Sequence, residues 1–175
     1  MSDVDLIEPL WRQLHLHHRA AAAHLEEFGA ARTPDESWRL RRAQYLEWQR
    51  DPRTALLIAR YEDRPIGYAM VRVVHAPGSW QWGDDVGVLE TLVVDEKGRG
   101  TGVGRELLRA AREHLAGLGV TVMRISVLAG NDDAVRFYRR EGAAEFVRTL
   151  VMPVRDTSPA PGRPAGAGPE RSPGR

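Results

Sequence analysis

Glycines alternate with arginine, threonine and valine in the stretch GRGTGVGR, residues 98–105. Glycine has no Cβ atom, so its backbone tolerates positive φ angles and can approach a ligand closely. An apolar strand pattern precedes the stretch and an amphipathic helix pattern follows it. The first N–H groups of that helix, its positive dipole end and the two arginines would then face one place. This arrangement predicts a binding site for an anionic group such as a phosphate.

Two common phosphate-binding turns do not fit this stretch. A Walker loop requires GxxxxGK[ST], which the chain lacks. A GxGxxG dinucleotide fingerprint fails because Val103 or Arg105 stands where its last glycine is required. The sequence therefore supports neither a nucleotide hydrolase nor a dehydrogenase.

A second motif, NDDAVRFYRREG at residues 131–142, follows the next predicted strand. Together with Arg99-Gly100-Thr101-Gly102-Val103-Gly104, it resembles the GNAT superfamily of acetyl-CoA-dependent N-acetyltransferases. The first segment is similar to the R-x-x-G-x-G/A pyrophosphate motif of that family, and the second to its N-x-x-A-x-x-F-Y-x-x-x-G-F helix. Two departures are that Ala143 replaces a large apolar residue and that only residues 3–6 are available for the family's first strand.

The resemblance implies acetyl-CoA as co-substrate and no metal. The pyrophosphate would lie on backbone N–H groups of the turn, and the pantetheine arm would pair with the central strand like an added strand. A central-strand N–H would also stabilise the oxyanion of the reaction. The residues so implied in cofactor binding are Leu92, Val93, Val94, Arg99, Gly100, Thr101, Gly102, Val103, Gly104, Arg105, Asn131 and Tyr138.

Tyr138 and Glu90 are the candidate catalytic residues. By the resemblance, Tyr138 would protonate the departing thiolate or donate a hydrogen bond to it; packing beside Phe137 is the alternative. Glu90 is the candidate base, because a two-residue period places it with Val88, Leu92 and Val94 on one strand face, where burial would make it a better proton acceptor. An ion pair with an arginine, or exposure to solvent, is the alternative for Glu90.

The loop before the central strand carries the other candidate substrate residues. Trp82, Asp84 and Asp85 are predicted, with Glu90, to bind the acceptor. The two aspartates are also rival bases acting through a water molecule. The alternative for Trp80 and Trp82 is that they fold back onto the domain.

Hydrophobic periodicity predicts the elements that position these groups. They are a helix at 5–25, a helix from Thr33 to about 50, strands at 55–61 and 66–74, a central strand at 86–94, a helix after the turn, a strand at 121–128, a helix at 134–140 and a last strand at 145–154. The order predicts an α+β (mixed α/β) fold with a mixed, mostly antiparallel sheet flanked by helices. The resemblance adds a GNAT-like acyl-CoA N-acyltransferase fold with a splayed parallel strand pair at the cofactor site.

Two groups of residues in the first two helices admit different interpretations. The histidines at 15, 17, 18 and 24 point in several directions around a helix, so packing or exposure is favoured over metal binding. The aromatic residues of the second helix would line a substrate cleft or pack in the core, and core packing is favoured. They are Trp38, Tyr45 and Trp48, with Leu46 beside them.

Composition limits the class of protein. The chain has 175 residues, net charge +1 and no cysteine, which predicts one domain at 1–155, no nucleic-acid or membrane partner and no disulfide. Residues 156–175 are rich in proline, glycine and arginine and are predicted to be a disordered tail. The N-terminus lacks a basic and an apolar signal region, so a cytoplasmic location is expected.

These observations predict an acetyl-CoA-dependent N-acetyltransferase that acts on a primary amine, either a small molecule or a peptide. The acids at 84, 85 and 90 favour a cationic small molecule. The alternative is a catalytically silent acyl-CoA-binding module with a regulatory role. The resemblance also allows a homodimer.

Overall fold

A computed structural model describes residues 2–154 of the chain. One unit extends to Glu145 and contains the helices and strands, and a second unit begins at Phe146. The helices are α1 (Asp3–Leu6), α2 (Glu8–Ala21), α3 (Pro34–Trp48), α4 (Val103–Gly117) and α5 (Asp132–Arg140), with 3₁₀ turns at Ala23–Phe28 and Glu96–Gly98. The strands are β1 (Ala55–Tyr61), β2 (Arg64–His75), β3 (Asp85–Val94) and β4 (Met123–Ile125). The predicted tail at 156–175 lies outside the described residues, and the domain at 1–155 stays a prediction.

The four strands form one mixed sheet in the order β1-β2-β3-β4. The first three are antiparallel neighbours, while β4 runs parallel to β3 after the crossover through α4. Parallel neighbours require such a crossover, and the sequence order alone predicted it. The α+β fold with a mixed, mostly antiparallel sheet is thereby confirmed.

A β-bulge interrupts β3 at Glu90. Met70 of β2 pairs with Thr91 and Val71 pairs with Leu89, so Glu90 is the extra residue. The predicted common face of Val88, Glu90, Leu92 and Val94 is therefore wrong, because a bulge breaks the two-residue period. Leu92 and Val94 pack towards α4, whereas the Glu90 carboxylate reaches Arg72, whose guanidinium covers a ring of α3.

Helices cover both faces of the sheet. On one face, α1, α2 and α3 bury a cluster made of Val4, Ile7, Leu10, Trp11, Trp38, Tyr45, Tyr68, Met70 and Val93. On the other face, α4 packs on a cluster made of Ala69, Val71, Val73, Leu89, Leu107, Leu108, Ala111 and Leu115. Trp38 and Tyr45 are thus core residues, as the sequence favoured.

The start of α3 follows the sequence closely. Thr33 accepts a hydrogen bond from the Glu36 backbone N–H at 3.3 Å, and Glu36 accepts from the Thr33 backbone N–H at 3.1 Å. Pro34 occupies the first turn, where its missing N–H has no helical partner to lose. This reciprocal capping box needs only residues three apart, so it is readable from local sequence.

Three predicted elements differ in the structure. The helix predicted at 5–25 is divided into α1, α2 and a 3₁₀ turn, so residues 3–6 are helical and supply no first strand. The strand predicted at 121–128 is only Met123–Ile125. The strand predicted at 145–154 is wrong, because no residue between 145 and 153 is in a strand and Leu150, Met152 and Val154 are exposed. A strand needs a hydrogen-bonded neighbour, and an apolar run does not specify one.

Candidate active site

The glycine turn, residues 98–105, leads from the end of β3 into α4. Gly100 and Gly102 have φ angles of +77° and +95°, which side-chain-bearing residues rarely adopt. Gly102 caps α4, and the first intrahelical bond runs from the Glu106 N–H to the Gly102 carbonyl at 3.1 Å. The N–H groups of the preceding residues in the first helical turn thus have no acceptor within the helix. They are available to an anion at the positive end of the helix dipole.

A buried carboxylate fixes the chain just before this turn. Asp95 accepts hydrogen bonds from the backbone N–H of Lys97 at 3.0 Å and from Arg64 Nη2 at 2.9 Å. The Lys97 N–H lowers the pKa of Asp95, so the side chain stays charged and keeps both donors. Sequence reasoning did not identify Asp95, because Arg64 is distant in the chain.

The two arginines of the turn differ. Arg105 donates at 2.9 Å to the largely buried carboxylate of Glu141, the C-cap residue of α5. Arg99 is exposed and has no ion-pair partner among residues 2–154. Thr101 closes the turn by donating from its hydroxyl to the Gly98 carbonyl at 2.6 Å. Arg99 is therefore the cation of the turn that remains for a ligand, while Arg105 ties α4 to α5.

Beyond Leu89, β3 has an open edge. Its ladder to β4 contains only Gly87, Val88 and Leu89, and no described residue pairs with the following segment on that side. The segment up to Val94 is paired with β2 on its other edge. Backbone N–H and C=O groups on an open edge can accept an added extended chain. The open edge leads directly into the glycine turn.

α5 brings the second motif to the same region. Asn131 caps it by accepting from the Ala134 N–H at 3.2 Å. Phe137 lies close to Gly104 of the turn, where an added Cβ would be 3.6 Å from its ring. Tyr138 packs in the α4-side cluster with Leu92 and Val94. The structure thus brings together the turn, the open edge and the motif helix.

Tyr138 is largely buried beside Phe137, with ring centroids 5.1 Å apart in an edge-on arrangement. It also lines a groove of about 330 Å³ beside Ile125 and Glu141. Burial raises the pKa of Tyr138 to about 12. Its hydroxyl therefore remains protonated near neutrality and can donate a hydrogen bond or a proton. Packing and donation are compatible in this position.

Glu90 is an ion-paired residue. Its Oε1 accepts from Arg72 Nε at 2.6 Å, and both side chains are mostly buried. The Arg72 guanidinium in turn lies 4.5 Å from the centroid of the Trp48 ring. Of the interpretations left open by the sequence, the ion pair with an arginine is present. A carboxylate with one oxygen held in this way retains its second oxygen for another partner.

Glu90 and Arg72 belong to a polar and aromatic patch, which we call the α3 face. Its centre is the buried Tyr45, whose hydroxyl lies 2.6 Å from Thr91 Oγ1 and 3.3 Å from Tyr68 Oη. The members of the α3 face are Trp11, Arg41, Tyr45, Trp48, Tyr68, Arg72, Glu90 and Thr91. Arg41 and Arg72 were missed by sequence reasoning, since no local motif relates them.

The structure does not bring Trp82, Asp84 and Asp85 together with Glu90. Asp85 begins β3 and pairs with Arg53 at 3.1 Å and with His75 at 3.2 Å. This end of β3 is about 17 Å from Glu90 at the usual rise per residue, and the glycine turn is at the opposite end. The loop lines its own groove of about 520 Å³. The role predicted for these three residues stays a prediction.

The end of α2 reaches the same end of the sheet as the glycine turn. Gly130 follows β4, and because β3 and β4 are parallel, the segments after both strands lie at one end. A Cβ on Gly130 would be 2.4 Å from the Ala21 carbonyl oxygen. This close backbone approach links α2 to the opening between β3 and β4.

The acetyltransferase (GNAT) family matches residues 17–143 of the sequence, a span that includes the glycine turn, the open edge and α5. The chain belongs to this family. The residues of this GNAT-family chain fit a CoA pyrophosphate, because the left-handed glycines, the unpaired N–H groups of α4 and Arg99 present donors and positive charge at one place. The fold and family identified from the two motifs are confirmed.

Curated relatives of this GNAT-family chain include two mycothiol acetyltransferases. The protein from Cellulomonas flavigena is 32% identical over 90% of this chain and 42% of its own length. The protein from Nocardiopsis dassonvillei is 34% identical over 45% of this chain and 24% of its own length. The chain therefore spans less than half the length of these relatives.

Solved structures share the fold. A mutant of the BH1408 protein from Bacillus halodurans has a TM-score of 0.70 at 19% identity, over 88% of this chain and 97% of that one. An aminoglycoside 6'-N-acetyltransferase from Acinetobacter haemolyticus has a TM-score of 0.62 at 15% identity, over 89% and 95%. The aminoglycoside N-acetyltransferase AAC(6')-Iy, solved in complex with CoA, has a TM-score of 0.58 at 21% identity, over 82% and 95%.

Two further features of this GNAT-family chain concern membranes and metals. None of the helices described between residues 2 and 154 is both long and apolar enough to cross a membrane. Over the same part of the chain, no group of three or more histidine, aspartate or glutamate side chains is arranged to hold a metal ion.

Proposed function

We propose that this chain transfers an acetyl group from acetyl-CoA to a primary amine of a small molecule or a peptide. The observation that carries the proposal is the position of Glu90 at a bulge of β3, beside the open edge that leads into the glycine turn. A bulge redirects one side chain without ending the strand. One continuous piece of backbone thereby serves both the proposed cofactor site and the proposed chemistry.

The chain's own residues have separate tasks in this proposal. The N–H groups at the start of α4, with Arg99, bind the pyrophosphate. Backbone groups on the open edge, contributed by residues 92–94, hold the extended arm, and Asn131 shapes the start of α5 beside it. Acetyl-CoA supplies a thioester whose carbonyl carbon is open to attack by an amine.

Proton transfer is assigned to Glu90 and Tyr138. As the new C–N bond forms and the C–S bond breaks, the amine must lose a proton and the sulfur gains a partner for its negative charge. Glu90 accepts the amine proton through its second carboxylate oxygen, directly or through a water molecule, while Arg72 holds the first. Tyr138, protonated because its pKa is raised to about 12, donates to the thiolate.

Acetylation assays with several classes of amine test the proposal. Thiol release from acetyl-CoA would be followed with amino acids, short peptides, polyamines, aminoglycosides and the acceptor of the mycothiol acetyltransferases, because relatives of this chain act on the last two classes by name. CoA binding would be measured in parallel by calorimetry. We expect turnover with at least one amine and CoA binding that depends on the glycine turn. CoA binding without turnover on any amine would support the silent regulatory module instead.

A further inference from the structure

Arg41 of α3 is a mostly buried cation that lies against aromatic rings. Its Cζ atom is 4.8 Å from the centroid of the Trp11 ring and 5.7 Å from those of Tyr45 and Trp48. No carboxylate lies within ion-pair distance of it among residues 2–154. The rings hold the guanidinium in place, but they provide no acceptor for its five N–H groups.

Arg72 provides a direct contrast in the same patch. It lies 4.5 Å from the centroid of the Trp48 ring, as Arg41 lies 5.7 Å from it, but Arg72 is neutralised by Glu90 at 2.6 Å. Two guanidinium groups therefore share one indole ring, and only one of them has a carboxylate. The α3 face carries an uncompensated positive charge next to the candidate base.

His18 of α2 lies near Arg41, and its cationic form is disfavoured there. The pKa of His18 is lowered, first by burial and then by His17, His15 and Arg41. His15 is also held by its own contact, with its Nε2 3.0 Å from the Arg32 carbonyl oxygen. Burial is the main cause of the lowered pKa of His18, and the charge of Arg41 acts in the same direction. That charge would stabilise an anion placed beside Arg41.

A second donor without an acceptor lies under Arg41. Trp11 is only 6% exposed, and its buried indole Nε1–H has no hydrogen-bond partner among the described residues. Indole and guanidinium groups can only donate hydrogen bonds. A buried donor left unpaired is costly, so native proteins rarely retain one without a reason. Two stacked donor-only groups lack acceptors at the same place.

We propose that the acceptor of this acetyltransferase is an amine that also carries an anionic oxygen group, a carboxylate or a phosphate ester, and that Arg41 binds this group while the amine lies at Glu90. This inference rests on the proposed function and specifies its substrate class. A negatively charged oxygen would accept hydrogen bonds from the unpaired guanidinium group of Arg41. The amine binds at the second oxygen of the Glu90 carboxylate, because Arg72 holds the first.

The shared contact with Trp48 limits the size of the acceptor. Arg41 and the Arg72–Glu90 pair lie against one indole ring, so the amine and the anionic group must be separated by only a few bonds or residues. An extended dipeptide spans about 7 Å between its termini. Amino acids, dipeptides and amino phosphate esters are therefore suitable probes, whereas polycations are disfavoured.

The test compares matched acceptors and matched variants. Amino acids, dipeptides and tripeptides would each be assayed as the free acid and as the C-terminal amide, and phosphoethanolamine would be compared with ethanolamine. Each pair would be assayed with wild type, Arg41→Gln, Arg41→Lys and Arg39→Gln. Arg39 is an exposed arginine of the same helix and serves as the control. Calorimetry with CoA present would measure acceptor binding without turnover, and thermal unfolding would verify folding.

We expect wild type to prefer the anionic member of a pair by about 10-fold or more in kcat/KM and in affinity, because a charge-assisted hydrogen bond is lost in the neutral member. Arg41→Gln should reduce this ratio towards one, and Arg39→Gln should retain it. The carboxylate and phosphate series identify which anionic group the α3 face accepts. If Arg41→Gln fails to fold, the wild-type ratio and Arg41→Lys decide the question.

Three results would overturn the inference while leaving the proposed function intact. They are equal use of acid and amide, a preference for polyamines or aminoglycosides, and an unchanged preference in folded Arg41→Gln. If CoA binds but no amine is turned over, equal affinity for acid and amide would also reject it. Failure to bind CoA would instead count against the proposed function.

Discussion

The glycine turn and the α3 face lie at the same strand but are built in different ways. The glycine turn is one short segment whose ligand-binding groups are mostly backbone N–H groups, made available by two left-handed glycines and the start of a helix. The α3 face is assembled from side chains of α2, α3, β2 and β3. The first arrangement suits a common group shared by a family, and the second suits the part of a substrate that differs between family members.

The contrast extends to charge and burial. The turn is largely exposed, with Arg99 in solvent, whereas the α3 face is centred on the buried hydroxyls of Tyr45 and Tyr68. Electrostatic interactions are weaker in solvent than in the interior. We therefore expect substitutions at the turn to act mainly on cofactor affinity, and substitutions at the α3 face to act on turnover, acceptor choice and stability.

The largest effect is expected at Glu90 on the α3 face. Glu90→Gln preserves an oxygen that can accept from Arg72 but removes the proton acceptor, so kcat should fall about 100-fold or more. CoA affinity should remain near that of wild type. Steady-state rates as a function of pH and calorimetry with CoA measure both quantities. Glu113→Gln, at an exposed i,i+4 pair in α4, is the control. A Glu90→Gln enzyme with normal kcat would assign the base to another group.

Gly102→Val tests the glycine turn. Valine is strained at φ +95°, by about 1–2 kcal/mol or more, so the turn must change and CoA affinity should fall about 10-fold. Calorimetry measures the affinity. Gly117→Val is the matched control, since an added Cβ there meets no atom within 4 Å and its φ is not positive. Equal CoA affinity in the two variants would separate the turn from cofactor binding.

Tyr138→Phe tests a residue that lies beside the proposed cofactor site and is proposed to donate to the departing thiolate. Loss of the hydroxyl should lower kcat about 10-fold without a comparable loss of CoA affinity. Because its pKa is raised to about 12, Tyr138 keeps its proton at any working pH. If kcat falls with rising pH below about pH 11, it should therefore fall at the same pH in wild type and in Tyr138→Phe. Tyr61→Phe, at an exposed tyrosine, is the control. A fall of kcat at alkaline pH that is present in wild type and absent from Tyr138→Phe would contradict this assignment.

Tyr45→Phe tests the buried part of the α3 face and has the smallest expected effect on catalysis. It removes the 2.6 Å contact with Thr91, leaving a buried hydroxyl without that partner. The free energy of unfolding should decrease by about 1–3 kcal/mol, as is typical for a buried polar group that loses its partner. Denaturant unfolding of Tyr45→Phe and Tyr61→Phe measures the difference. Equal stability of the two variants would mean that the hydroxyl network contributes little.

The sequence by itself determined the features that depend on residues close together in the chain. The glycine turn, the capping box at Thr33, the Asn131 cap and the crossover from β3 to β4 each follow from spacing within a short segment. Local backbone preference and hydrogen bonding between near neighbours act there in the same way in any tertiary context. The glycine turn and the motif at 131–142 were also sufficient to identify the family from the sequence.

Only the tertiary structure decided the features that depend on distant partners. The bulge at Glu90 arises from pairing with β2, and it overturned the strand face assigned by simple alternation. The strand predicted at 145–154 is wrong, because the apolar pattern did not specify a neighbouring strand with which it could pair. Arg41 and Arg72 became recognisable only when both lay against Trp48 and Glu90 paired with one of the two. Side chains that meet through folding carry no local signal, because their proximity is a property of packing rather than of spacing.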